Sequence, residues 1–315
     1  MRAGEMMKER ILGKTGIKMT ELGYGCTAQF GKKFFGKQNI SDHQALSLIS
    51  AALDSGIRFF DTGYNYGYAE ERLGKCLSTI FRENGICKRE DIVIQTKGCE
   101  TPDGSYEYSP DWIKKSVEIS LKRLQLDYID LYALHKANPG VLSDKLFYLF
   151  EDLKHQGIIR AYGVCGISDD FGEWIIKHQC FDYIMMTYNY AEAGRNTLIE
   201  KLYDSKIGIL AGGSLNRSLN TIKRLPHNRN DLWYLLRALG HYRGEFNKAR
   251  KFKFMKDIEG MTPQQVSLAY IMRNNKVTSA LFNTINPDHL RENVRALDME
   301  LPQEIVDKIE RNIGS

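Results

Sequence analysis

The sequence has few of the features that mark a disulfide-bonded, metal-binding or serine-nucleophile protein. Its six cysteines, in a chain of 315 residues, include no Cys-x-x-Cys pair. This indicates free thiols in a reducing compartment. The seven histidines are scattered and form no HxH or HExxH motif, so no zinc site is predicted. No serine stands in a GxSxG elbow, which argues against a serine nucleophile of that kind.

Long hydrophobic runs and a strong charge bias are also missing. No apolar run reaches the ~18 residues that a membrane-spanning helix needs. The first ten residues, MRAGEMMKER, contain no apolar segment of the signal-peptide type. Net charge is +5, from 44 basic and 39 acidic residues, and no basic stripe with interleaved aromatics is present. We therefore expect a cytoplasmic protein that binds neither membrane nor nucleic acid.

Short apolar runs alternate with segments of helical periodicity along most of the chain. Runs of four to eight residues rich in Val, Ile and Phe are typical of buried parallel strands. Strands are predicted at residues 20–25, 58–61, 92–97, 129–134, 160–165, 182–187, 207–211 and 277–281. Helices are predicted at residues 41–55, 69–82, 110–124, 143–156, 169–179, 195–205, 262–274, 287–297 and 303–312. Ser41 and Ser109 are expected as N-caps, with Pro110 in the first helical position.

Eight strand-helix units predict an α/β fold whose parallel sheet closes into a (β/α)8 TIM barrel. An open, doubly wound sheet is the alternative. No linker or low-complexity segment divides the chain, so one domain is expected over residues 1–315. Residues 212–261 are too long for a simple connection and predict a loop and helical insertion after the seventh strand. The run GYGCTA at residues 23–28 matches GxGxxG/A, but no helix is predicted after it, so it is a weak nucleotide-binding motif.

Polar side chains end three successive predicted strands. Asp61 ends the second strand, Lys97 the third and His135 the fourth, and Tyr66 follows five residues after Asp61. The carboxyl ends of barrel strands converge on one face, so these four side chains are expected to meet although they are far apart in sequence. Each has a common structural role when taken singly: a turn aspartate, a packing tyrosine, a solvated lysine or a core histidine. Their joint placement favours a catalytic site.

The four side chains suit the protonation of an oxygen that gains negative charge. A phenol with a pKa near ~10 donates protons poorly at neutral pH, and an adjacent ammonium is expected to lower that pKa. A buried Lys97 needs a carboxylate partner, which Asp61 can be. His135 can hydrogen-bond and orient a substrate oxygen. A carbonyl that accepts hydride is a substrate of this kind.

Six segments, in order, resemble the aldo-keto reductases over nearly the whole chain. The segment LGKTGIKMTELGYG is similar to the N-terminal hairpin and first strand of that family, and FDTGYNYGYAEERLGKCL to its most diagnostic region. IVIQTKG, LDYIDLYALH, GIIRAYGV and VTSALFNTINPDHLRENVRAL follow in the family order. The resemblance implies that Tyr66 is the general acid, that Lys97 and Asp61 tune it, and that His135 orients the carbonyl. It also implies hydride transfer from NADPH or, less often, NADH.

The resemblance places the cofactor across the barrel mouth, where this sequence departs from the common family pattern. Cys165 and Gly166 stand where Ser-Asn is frequent, Met185 replaces a Gln, and Gly212 replaces a stacking aromatic. Asn283 and His289 stand at positions that commonly carry Lys and Arg, so NADP(H) ahead of NAD(H) is only the family default. The implied cofactor-binding residues are Gly25, Cys26, Thr27, Cys165, Gly166, Met185, Gly212, Gly213, Ser214, Leu215, Asn283, Thr284, Asn286, His289, Glu292 and Asn293.

Three functions follow from these features. The first is an NAD(P)(H)-dependent oxidoreductase that reduces an aldehyde or ketone, or oxidises a sugar-like alcohol, as in sugar and aldose dehydrogenase branches with a Gly-Gly loop. The second is a lyase or isomerase that uses Tyr66 and Lys97 without a nicotinamide. The third is a protein that senses the cofactor without turnover. The expected partner is a small carbonyl or sugar-like molecule.

Overall fold

Eight parallel strands close into a barrel in the computed structural model, which describes residues 7–31, 33–34, 37–38, 40–83, 87–215 and 251–313. The barrel strands are β3 (Leu22–Gly25), β6 (Phe59–Asp61), β7 (Val93–Gly98), β8 (Ile129–His135), β9 (Ile159–Cys165), β10 (Tyr183–Thr187), β11 (Gly208–Gly212) and β12 (Ser279–Phe282). Each strand pairs in parallel with its neighbours, and β12 pairs with β3 to close the ring. The predicted (β/α)8 barrel is confirmed, and the open-sheet alternative is wrong. The predicted strand bounds differ from these by at most two residues.

Helices follow the barrel strands and cover the outside of the barrel. They are α1 (Ala28–Gly31), α2 (Asp42–Asp54), α3 (Ala69–Glu83), α4 (Pro110–Leu124), α5 (Asp144–His155), α6 (Asp169–His178), α7 (Asn196–Asp204), α8 (Pro263–Arg273), α9 (Pro287–Val294) and α10 (Gln303–Ile313). The predicted caps are present, because the side chains of Ser41 and Ser109 accept hydrogen bonds from the backbone of Gln44 and Trp112. These caps satisfy backbone N–H groups that the first helical turn leaves without partners.

The barrel interior is filled by alternate residues of each strand. Phe59 and Val93 belong to the interior apolar cluster, whereas their neighbours Phe60 and Ile94 pack outward against the helices. Side chains two residues apart on a strand share a face. This alternation sends Asp61 and Lys97 to the inside of the barrel, above the apolar layers.

A hairpin closes the N-terminal end of the barrel. Its strands, β1 (Glu9–Ile11) and β2 (Lys18–Thr20), pair antiparallel, and Leu12, Ile17 and Met19 join the interior cluster. A second small hairpin consists of β4 (Lys33–Phe34) and β5 (Lys37–Gln38). Because the first hairpin closes the N-terminal end of the barrel, polar groups are expected at the opposite end, where the strands finish.

Some predictions need correction or fall outside the description. A single four-residue helical turn, α1, follows GYGCTA, where no helix was predicted. Residues 216–250, most of the predicted insertion after the seventh barrel strand, lie outside the described residues. At the end of that insertion, Phe252 and Met255 are buried around a 3-10 helix at Lys253–Lys256. Within the described ranges, no helix has both the length and the apolar character that a bilayer crossing requires.

Candidate active site

Three of the predicted site residues lie at the same rim of the barrel. Asp61 ends β6, Lys97 is the next-to-last residue of β7, and His135 ends β8. In the strand register, Asp61 is opposite Gln95, Lys97 is opposite Ala133, and His135 is opposite Cys165. The closed sheet therefore brings together side chains that are 36 and 38 positions apart in sequence.

Lys97 and Asp61 form a buried ion pair. The Lys97 Nζ donates to Asp61 Oδ1 at 2.5 Å and to the backbone oxygen of Thr62 at 2.6 Å. Gln95 Nε2 donates to the same carboxylate oxygen at 2.6 Å. Burial lowers the pKa of Lys97 most strongly, but Asp61 and the other acidic groups nearby outweigh burial and raise that pKa. The lysine is therefore a fixed positive charge inside the barrel mouth.

Tyr66 lies in the loop after β6 and is folded back over the end of β7. Backbone hydrogen bonds from Thr62 N to Gln95 O, from Tyr64 N to Lys97 O and from Tyr66 N to Gly63 O hold this loop. The Lys97 Nζ lies 5.1 Å from the centre of the Tyr66 ring. The structure thus brings Asp61, Tyr66 and Lys97 together, as the sequence predicts.

The predicted lowering of the Tyr66 pKa is wrong in its net direction. The Lys97 ammonium is the strongest single influence and lowers the pKa of Tyr66. Burial of the phenol, together with Asp61, Cys165 and Glu100, outweighs it and raises that pKa above the ordinary tyrosine value. The phenol consequently keeps its proton at neutral pH.

His135 joins this group through residues that the sequence analysis did not identify. Its Nδ1 is hydrogen-bonded to Glu100 Oε1, and Asn65 Nδ2 donates to the same oxygen at 2.9 Å. Asn65 precedes Tyr66 in the chain, so a short polar connection links the tyrosine loop to the histidine. A carboxylate three residues after Lys97, in the run TKGCE, was the sequence signal that could have identified Glu100.

The predicted cofactor residues on the first and last barrel strands lie next to each other. Asn283 Nδ2 donates to Thr27 Oγ1 at 2.7 Å, and Tyr24 Oη donates to the backbone oxygen of Thr284 at 2.7 Å. Asn286 caps α9, and its backbone N–H donates to Thr284 Oγ1 at 3.2 Å. Gly25 and Cys26 are buried at the adjoining strand end.

The predicted contacts on α9 differ in exposure. His289 is exposed, Glu292 is half-buried and Asn293 is buried. The backbone oxygen of Glu292 accepts a hydrogen bond from Gln265 Nε2 at 2.9 Å, which fixes α9 against α8. His289 therefore faces solvent at the start of α9, and Asn293 lies inside the packing of that helix.

The remaining predicted cofactor residues follow β9, β10 and β11. Gly166 and Gly213 take positive φ angles of 76° and 64°, which glycine adopts without strain. Met185 lies across Gly212, because a Cβ at Gly212 would be 2.8 Å from Met185 Cε. The sulfur of Met185 accepts from Gln95 Nε2 at 3.3 Å. Gln95 therefore connects Met185 with the carboxylate of Asp61.

Two further residues of this set, Ser214 and Leu215, precede the part of the chain that is not described. Ser214 is buried, its hydroxyl donates to Ala211 O at 3.1 Å, and its backbone oxygen accepts from the Ser267 hydroxyl at 2.5 Å. Leu215 is partly buried against the core. The start of the loop after β11 is therefore tied to α8.

The six cysteines are all free thiols, and Cys165, at the end of β9, is not reactive in character. Burial raises the pKa of Cys165 to about 12, more than the opposing Lys97 lowers it. A neutral thiol is a weak nucleophile and a weak metal ligand. In the described residues, His, Cys, Asp and Glu side chains form no group of three or more that could hold a metal ion.

A closed (β/α)8 barrel with a buried lysine–aspartate pair beside a tyrosine at the ends of its strands defines a protein of the aldo-keto reductase type. The profile described as the Aldo/keto reductase family matches residues 21–313, and the chain belongs to this family of oxidoreductases.

Three comparisons show how the relationship extends over the chain. The chain is 28% identical over 301 residues to the uncharacterized oxidoreductase YqkF of Bacillus subtilis, covering 92% of this chain and 91% of that protein. It is 25% identical over 316 residues to L-galactose dehydrogenase of Arabidopsis thaliana, covering 96% and 92%. The structure of the aldo-keto reductase AKR11C1 from Bacillus halodurans in its holo form superposes with a TM-score of 0.77 and 26% identity, covering 97% of this chain and 96% of that one.

Proposed function

We propose that the protein is an NAD(P)(H)-dependent oxidoreductase that reduces an aldehyde or ketone, or oxidises a sugar-like alcohol, with Tyr66 as general acid. The observation that carries this proposal is the buried Lys97–Asp61 pair against the Tyr66 ring. A fixed ammonium beside a protonated phenol suits proton donation to an oxygen that becomes negatively charged. The similarity to L-galactose dehydrogenase, a relative named for a sugar, supports the same reaction class.

Each side chain has a role in the proposed reaction. Tyr66 holds its proton at Oη at neutral pH because its pKa is raised. When the proton leaves, the Lys97 ammonium stabilises the phenolate that remains. Asp61 keeps Lys97 charged and in place. His135 meets the substrate oxygen from the neighbouring strand and orients it.

The described residues fit a nicotinamide cofactor. Gly212 carries no side chain, and Met185 Cε packs directly against it at the end of β11. Gly166 and Gly213 allow close backbone approach at the neighbouring strand ends. When bound, the nicotinamide supplies or accepts the hydride.

The far end of the cofactor would lie against α9 and the ends of β3 and β12. The side chains of Thr284 and Asn286, just before α9, offer neutral donors for phosphate oxygens. NADP(H) is proposed ahead of NAD(H) as the family default. Asn283 is bonded to Thr27, and His289 is exposed, so these two positions provide no fixed cation for a 2′-phosphate. The free thiols support a site of action in the cytoplasm.

A cofactor titration and a tyrosine variant test the proposal. NADPH and NADH are titrated while protein fluorescence is followed, and turnover is measured with methylglyoxal, an aldose and a simple ketone. We expect binding of one or both nucleotides and turnover of at least one substrate. Tyr66→Phe should lose turnover by a factor of about 10² to 10⁴ while nucleotide affinity is unchanged.

Tyr148→Phe is the matched control, because Tyr148 is 75% exposed on the outer helix α5. It should leave both affinity and turnover unaltered. Turnover by nucleotide-free protein would replace the proposal with a lyase or isomerase. Nucleotide binding without turnover of any carbonyl or sugar would favour a cofactor sensor. Absence of binding at millimolar nucleotide would contradict the proposed redox function.

A further inference from the structure

The segment from Cys99 to Tyr108 holds His135 at three separate atoms. Its side-chain Nδ1 is hydrogen-bonded to Glu100 Oε1. Its backbone N–H donates to the Cys99 sulfur at 3.3 Å, and its backbone oxygen accepts from Tyr108 Oη at 2.9 Å. A residue that only fills space at a strand end needs no such set of partners. The histidine is fixed in both backbone position and ring orientation.

The backbone of this segment adopts a conformation that places Glu100 beneath the histidine. Cys99 has a φ of 105°, a region that residues with side chains rarely occupy. Glu100 forms an isolated antiparallel bridge with Tyr106, and Glu107 N donates to Cys99 O at 2.8 Å. Strain of this kind persists only where surrounding contacts enforce it, and it clusters at functional sites.

Glu100 is buried, with 2% of its surface exposed. Its Oε1 accepts from Asn65 Nδ2 as well as meeting His135 Nδ1, whereas its Oε2 has no hydrogen-bond partner in the described part of the chain. An ionised carboxylate has no hydrogen to give, so a hydrogen bond between such a carboxylate and the imidazole has its proton on Nδ1. The partner of one ring nitrogen decides the state of the other.

We propose that Glu100 is a positioning residue that holds a proton on Nδ1 of His135, so that Nε2 is the ring nitrogen presented to the substrate oxygen. Nε2 then accepts from an alcohol when the ring is neutral, or donates to a carbonyl when the ring carries a second proton. In the second case the carboxylate of Glu100 balances the charge of the imidazolium. The role of Nε2 rests on the proposed function; the proton on Nδ1 does not.

Nitrogen NMR of the imidazole tests the proton position in the unaltered protein. Long-range ¹H–¹⁵N spectra of protein labelled with ¹⁵N-histidine report whether each ring nitrogen carries a proton, and the His135 signals are those lost in His135→Gln. We expect Nδ1 to be protonated throughout pH 6–8. An unprotonated Nδ1 would overturn the proposal, whatever the activity of the protein.

Glu100→Gln tests the functional consequence, and Glu107→Gln is its matched control. The side-chain amide of the variant can donate as well as accept a hydrogen bond, so it no longer requires the proton to be on Nδ1 of His135. The exposed Glu107 lies in the same loop, and its carboxylate accepts from the Ser109 hydroxyl. We expect Glu100→Gln to lower kcat for methylglyoxal by about 10- to 100-fold, as when the partner of a functional histidine is removed.

The affinity of Glu100→Gln for NADPH should be unchanged, and its His135 nitrogen signals should shift. Glu107→Gln should match the unaltered protein in both measurements. Unchanged kcat together with unchanged nitrogen signals in Glu100→Gln would overturn the positioning role. If the unaltered protein turns over no carbonyl or sugar, the proposed function fails, and the nitrogen spectrum alone decides the role of Glu100.

Discussion

At the scale of single residues, the Lys97–Asp61 pair has a proposed catalytic role and a structural one. Both side chains are buried, and each provides the charge that compensates the other. Removing one partner of a buried pair leaves an uncompensated charge and costs about 3–5 kcal/mol. We therefore predict that Lys97→Met abolishes turnover and lowers the free energy of unfolding by about that amount, measured by urea denaturation.

The double variant Asp61→Asn/Lys97→Met is the control for this prediction. It removes both charges and leaves polar groups that Gln95 can still bond, so it should unfold at a higher urea concentration than Lys97→Met. A double variant that is no more stable than the single one would mean that the loss reflects packing rather than an unpaired carboxylate.

In the proposed reaction, the raised pKa of Tyr66 sets the pH at which the proton donor is lost. Reduction needs the protonated phenol, so activity is present below this pKa and is lost as pH rises through it. Because the pKa lies above the ordinary value of ~10, deprotonation of Tyr66 should not lower kcat between about pH 7 and about pH 10. Rapid-mixing assays after a pH jump would measure this in His135→Gln, where the imidazole no longer contributes to the pH profile. A decrease in kcat centred near pH 8 in that variant would show that Lys97 dominates and that the phenol is acidic.

At the scale of elements, the short helix α1 supports the loop that carries Tyr66. Tyr68 N donates to Gly31 O at 3.0 Å. A Cβ on Gly31 would overlap the backbone oxygen of Tyr66 and the backbone nitrogen of Ala69. Backbone atoms cannot turn aside as side chains can, so Gly31→Ala must displace the loop. We predict a fall in kcat of tenfold or more and a loss of about 1–3 kcal/mol of stability.

Gly140→Ala is the matched control for Gly31→Ala. The nearest atom to a Cβ at Gly140 is the side-chain oxygen of Asn138 at 3.1 Å, which can move. Steady-state kinetics and thermal unfolding of both variants provide the comparison. Equal kinetics in the two variants would show that α1 does not support the tyrosine loop.

At the scale of the whole molecule, the two ends of the barrel have separate tasks. Leu12, in the N-terminal hairpin, is fully buried. It packs over Gly208, since a Cβ built on Gly208 would be 2.6 Å from Leu12 Cγ. The site lies at the opposite end of the strands. Leu12→Ala should therefore cost about 2–5 kcal/mol of unfolding free energy and leave kcat and KM unchanged at a temperature where the protein is folded.

Ile11→Ala is the control for Leu12→Ala. Ile11 is the adjoining residue, and it is 58% exposed. Its replacement should change stability by no more than about 0.5 kcal/mol. Kinetic constants that change in Leu12→Ala but not in Ile11→Ala would mean that the hairpin influences the site through the barrel.

The alternation of apolar runs and helical segments predicted eight strand-helix units and favoured a closed barrel over an open sheet, and the strand ends predicted that Asp61, Lys97 and His135 would lie at one rim. Both predictions depend on local patterns. Burial in a parallel sheet requires continuous apolar strands, and the carboxyl ends of such strands lie at one rim. The Ser41 and Ser109 caps were predictable for the same reason, because a cap bonds to backbone only two or three residues away.

The direction of the Tyr66 pKa and the contact between Glu100 and His135 were decided only by the tertiary structure. The sequence shows that a lysine is near the tyrosine, but burial and the surrounding acidic groups outweigh that ammonium, and both depend on packing. Glu100 reaches His135 across 35 residues through the unusual backbone of Cys99. The apolar periodicity of a single strand or helix carries no information on the Glu100–His135 contact, because that contact forms only once the barrel has closed.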